Sequence, residues 1–191
     1  MISYKWYTHR VLPTGSGNAL SAGFPMASQW HSLVSQKLFL AKTLLARLSS
    51  EHKAGAMQQT PAAEAEALTQ GAVELMLRAR QSLLVMIARH HQNKQENPGS
   101  IEALEALFPY PITEVDTLRE LSETTGSWWQ HLAQLELAIT EPNKTRKTVT
   151  AENIIAVSAD QGPDKSLQAL NETLVSMTRF AREIDEQHSE W

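Results

Sequence analysis

Residues Thr60 to Gln92 constrain the fold of this chain more than any other stretch. Apolar residues recur there at helical spacing on more than one side. One stripe runs Leu68, Ala72, Leu75, Ala79, Leu83, Met86 and His90, and a second runs Val73, Leu77, Leu84 and Ala88. Steps of three and four residues keep each stripe on one face of a helix. Two stripes together need neighbours on two sides, which makes this the expected central helix of an all-helical domain. Thr60 is a candidate N-cap, and Pro61 suits the first helical position, where its missing N–H is not needed. Asn97, Pro98 and Gly99 close the segment.

The flanking segments repeat the theme with narrower stripes. Trp30, Val34, Leu38, Ala41, Leu45 and Leu48 predict a helix over 28–49. Ser100 starts a short helix expected to run to Phe108, and Pro109-Tyr110-Pro111 stops it. A second short helix is expected over 114–123, with Thr113 and Asp116 as its capping pair. Ser127-Trp-Trp-Gln130 has the capping-box pattern and opens a helix over 127–140. Of the adjacent Trp128 and Trp129, one is expected to face the core. The last helix, 165–188, carries Leu167, Leu170, Leu174, Met177, Ala181, Ile184 and His188 in steps of three and four. Such a stripe left in water would be a liability, so this helix is expected to pack on the others.

The fold class that follows is all-α, a bundle of four main helices with two short accessory helices. Residues 26–140 form the expected bundle core, 141–164 a linker, and 165–191 a C-terminal helix packing on that core. Residues 1–25 lack an apolar period, so they read as a disordered arm or as a mis-assigned start with Met26 as the true first residue. The run Leu83 to Ala88 is far shorter than the roughly 20 residues needed to span a bilayer. With a formal net charge of −4 the chain lacks the basic excess of a dedicated nucleic-acid binder. The absence of cysteine excludes disulfides, thiolate catalysis and Cys-ligated metal sites, and is compatible with a cytoplasmic protein.

The order of these pieces resembles a family of uncharacterised bacterial all-helical proteins. The likeness rests on Ser35-Gln-Lys-Leu-Phe-Leu-Ala41, the long apolar second helix, the Ser127-Trp128 helix and the Leu167 to Glu183 helix, and covers roughly residues 27–190. It implies a fold and no catalytic residues.

Candidate chemistry is sparse. Seven histidines invite a metal site, but the chain has no Glu-x-x-His pair, and Asp185-x-x-His188 is the nearest. His90 and His91 are adjacent, so they point about 100° apart around a helix and do not chelate one ion together. Ligand spacing along the chain therefore names no metal and no cofactor. Arg47 with His52, and Arg182 with His188, match the Arg-x4–6-His spacing of a class of helical ribonucleases, in which Arg would stabilise phosphorane-like charge while His moves a proton. Arg78, Arg80 and Arg89 either hold an anion or pair with acids such as Glu74 and those of neighbouring helices. The leading expectation is a non-enzymatic interaction module, binding a protein partner or a second copy of itself. The alternative is a nucleotide- or RNA-processing enzyme using one of the Arg/His pairs.

Overall fold

A computed structural model describes residues 26–53, 61–141 and 162–189. The expectations for residues 1–25, for Thr60 as a cap, and for nearly all of the 141–164 linker lie outside them. Among the described residues the fold is all-α, with six helices: α1 Met26–Lys53, α2 Ala62–His90, α3 Ile101–Glu105, α4 Thr113–Glu123, α5 Trp128–Thr140 and α6 Leu167–Ser189.

Helix α2 is the centre, in contact with α1, α3, α5 and α6. From Ser82 to Arg89 every residue is buried, so this half of the helix has neighbours on all sides. Helix α1 lies antiparallel to it. Trp30 near the start of α1 meets Arg89 near the end of α2, and Leu44 meets Gly71 further back. A Cβ at Gly71 would come to 3.1 Å from Leu44 Cδ1, so the glycine admits that leucine side chain. Helix α6 runs parallel to α2, with Lys165 just before it beside Glu66 at one end and Asp185 beside His90 at the other. Leu170, Leu174, Met177, Ala181 and Ile184 are all buried along it.

Local chemistry sets the helix ends. Ser127 Oγ accepts the Gln130 N–H as an N-cap, while Gln130 Oε1 accepts from Gly126 N–H, one residue before the partner a regular capping box would use. Gly126 has φ +80°, a conformation that favours glycine. Ser100 caps α3, which ends at Glu105; the expected helix to Phe108 closes instead in tighter turns, Leu107 N–H to Leu104 and Phe108 N–H to Glu105. The expected Thr113–Asp116 cap does not form. Ile112 holds the N-cap position of α4 without a side-chain bond, because the extended backbone after Pro111 brings α4 in one residue early. Both tryptophans are buried, Trp128 edge-on to Trp129 and tilted against Phe180 of α6.

Candidate metal centre

Four helices finish or begin at one end of the bundle, and each brings a histidine or a carboxylate. The end of α2 is fixed by a Schellman motif. Asn93 N–H reaches Ala88 O at 2.9 Å and Gln92 N–H reaches Arg89 O at 3.1 Å, with Gln92 at φ 65°. Arg89 braces this turn from inside. Its guanidinium donates to Asn93 O at 2.5 Å and Asn97 Oδ1 at 3.1 Å, and lies over the Trp30 ring. The last helical residue, His90, and the C-cap, His91, thus leave α2 from a rigid corner.

His91 Nε2 lies 3.1 Å from Glu114 Oε1. His188 Nε2, in the last turn of α6, lies 2.5 Å from the same oxygen. The three ligand atoms all fall within 4.8 Å of one another. Glu114 is in the first turn of α4, where the positive end of the helix dipole favours a carboxylate. Its side chain is only 9% exposed. Burial pushes its pKa up, but hydrogen bonds from His188, its own backbone N–H and His91 outweigh that and hold the carboxyl below its ordinary value. The trio opens on a cleft of about 430 Å³ bordered by Pro111, Thr113 and Gln187.

Directly beside it, His90 stacks on His188, ring centroids 4.4 Å apart. Its side chain is 6% exposed and its Nε2 has no hydrogen-bond partner. Burial, then repulsion from His188, drives its pKa down to about 4, with Asp185 and Glu114 pulling the other way and His91 adding to the decrease. It is therefore a neutral imidazole at pH 7. Asp185 Oδ1 lies 3.9 Å from His90 Nε2, and its Oδ2 lies 3.1 Å from His31 Nδ1 on α1. The other nitrogen of His31 is 3.4 Å from Ser35 Oγ.

Of the two expected Arg/His pairs, only Arg182 and His188 have both side chains among the described residues. His188 faces Glu114, while Arg182, six residues earlier and about 120° around the helix, is exposed. Arg47 is exposed on α1. His52, expected in a loop, is helical because α1 continues to Lys53; its side chain is outside the described residues. Arg80 pairs with Glu136 of α5 at 2.5 Å and lies over Trp129, so its partner is an acid on a neighbouring helix, as expected. His90 and His91 turn their Nε2 atoms toward different carboxylates, Asp185 and Glu114, while both rings contact His188. Reasoning along the chain missed that each meets ligands from other helices. The one available signal was Asp185-x-x-His188 on α6, whose two residues both belong to this end.

A family model described as a family of unknown function, DUF6586, matches residues 26–191, and the chain belongs to that family. No curated protein and no solved structure matches the chain.

Proposed function

We propose that this protein is a helical binding module whose ligand is a divalent transition-metal ion held by His91, Glu114 and His188. The observation that carries the reading is the convergence of two imidazole nitrogens and a carboxylate oxygen, from the C-cap of α2, from α4 and from α6, within 4.8 Å. In the structure two imidazole N–H groups point at one carboxylate oxygen of Glu114. An ion would take the place of those two protons, which move to the Nδ1 atoms or leave to solvent, and would draw one lone pair from each of the three ligand atoms. Nitrogen and carboxylate ligands suit zinc and its neighbours in the first transition row, and three protein ligands leave a position for water or a small donor from the cleft. The C-terminal ends of α2 and α6 point their negative dipole ends at the site, which favours a cation there.

Equilibrium dialysis against Zn2+ tests this. The wild-type chain is expected to retain zinc, and Glu114→Gln and His188→Asn to retain less. Zinc retention unchanged by both substitutions together, or no retention by the wild type, would overturn the reading.

A further inference from the structure

Thr173 directs its hydroxyl differently from the other threonines of the helix interiors. Thr43, Thr69, Thr117, Thr140 and Thr178 each donate to the carbonyl four residues back. The Thr173 hydroxyl lies instead 2.6 Å from His131 Nδ1, across the contact between α5 and α6. We infer that Thr173 is a nucleophile with His131 as its general base, and that the cleft they share accepts a neutral ester of a small carboxylic acid. The site stands apart from the metal centre, since Thr173 and His188 lie roughly 22 Å apart along α6.

The tautomer of His131 is fixed from its far side. Its Nε2 lies 2.8 Å from Asp164 O, a carbonyl that can only accept, so Nε2 carries the proton. In the neutral ring Nδ1 is then a lone pair, and the Thr173 O–H donates to it. The turn that presents this carbonyl is held by Ser166 N–H donating to Asp164 Oδ1. A hydroxyl in hydrogen-bond reach of a base, itself oriented by a third group, is the arrangement that activates a weak nucleophile.

Thr173 and His131 border a cleft of about 450 Å³ between α5 and α6. Gln130 also lines it. Its Oε1 is taken by the Gly126 N–H, so its amide nitrogen remains to donate to a developing oxyanion. The first turn of α5, the positive end of that helix dipole, borders the same space. The described lining includes Asp164 and Glu172 but no lysine or arginine, which disfavours an anionic substrate.

The reaction balances with ester and water alone. Thr173 Oγ1 attacks the ester carbonyl carbon as its proton passes to His131 Nδ1. The bond from that carbon to the alcohol oxygen breaks, and the alcohol leaves with the proton. Water then attacks the acyl-threonine and gives a proton to the same nitrogen. The Thr173 oxygen takes that proton back as the acid is released.

The probe is p-nitrophenyl acetate, given to the untagged full chain with a chelator present. The wild type is expected to hydrolyse it with saturation. With so good a leaving group deacylation is the slower half, so an acetyl group should accumulate on Thr173, read by peptide mass spectrometry after an acid quench. Thr173→Ser should keep the activity, whereas Thr173→Val and His131→Gln should each lower kcat/KM by roughly 100-fold or more. Circular dichroism identifies any variant that does not fold, and the acetyl position in the wild type is read without any variant. No acetyl on Thr173, release no faster than in buffer, or a rate unchanged in Thr173→Val overturns the assignment, and the bond to His131 is then a packing contact alone. Activity seen only without the chelator belongs to a metal ion and overturns it too.

Discussion

The ring of His90 lies against that of His188, with centroids 4.4 Å apart and planes only 18° from parallel. Two protonated imidazoles so placed would repel strongly, and burial already disfavours charge on His90. The pair is built to be neutral on at least one side, which is the form in which imidazole binds a metal.

The first prediction follows from His90. Its folded pKa of about 4 lies below the ordinary 6.5. Between those values the unfolded chain binds more protons, so stability is full above about pH 6.5 and declines as pH falls toward 4. Asp185, Glu114, His188, His91 and His31 face the same region, and the decline attributed to His90 is the part removed by His90→Gln. Urea midpoints measured with a chelator at pH 7 and pH 4.5 should differ by roughly 2–3 kcal/mol more in the wild type than in that variant.

Glu114 accepts from both His91 and His188. Without metal, Glu114→Gln should cost roughly 1.5–3 kcal/mol, because bonds to a charged acceptor are lost in a buried setting. With zinc present the gap should widen, since the ion stabilises only the chain that binds it. Thermal melts with zinc and with chelator check both halves. Equal zinc-induced shifts in the two proteins would contradict the role assigned to Glu114.

Gln92 occupies the left-handed position of the Schellman turn at φ 65° with an exposed side chain. Glycine has no Cβ to strain there, so Gln92→Gly should stabilise the fold by roughly 1 kcal/mol. Chemical denaturation reads this directly, and a destabilised variant would show that the glutamine makes a compensating contact.

Leu174 is 4% exposed in the α6 stripe. Leu174→Ala should cost roughly 2–5 kcal/mol, and the midpoint should not depend on protein concentration. Concentration dependence would mean that the stripe is buried between chains and not within one.

The helices were legible because burial and periodicity are local. The double stripe of α2 predicted its many neighbours, and Ser127 and Ser100 marked two starts. The ends were harder. Nothing in Thr113 to Asp116 reveals that the rigid Pro111–Ile112 backbone supplies the α4 entry, and nothing in Arg47 to Lys53 announces the four further helical residues from Ser50 to Lys53. The candidate centre was least legible. Ligand spacing searches one helix at a time, whereas His91, Glu114 and His188 meet only because α2 and α6 run parallel and α4 starts where both stop. The adjacent His90 and His91 reach toward two different carboxylates, Asp185 and Glu114, and both rings touch His188, none of which spacing along the chain reveals.

Helix α1 begins and α6 ends at the same end of the bundle, with His31 and His188 each within two turns of those points. Anything fused directly before Met26 or directly after Ser189 is therefore held beside the histidine cluster. A polyhistidine purification tag at either position would carry several extra imidazoles at an effective concentration in the millimolar range, enough to compete for the very ion being measured. A cleavable tag, removed before any metal assay, is a requirement set by the helix order itself.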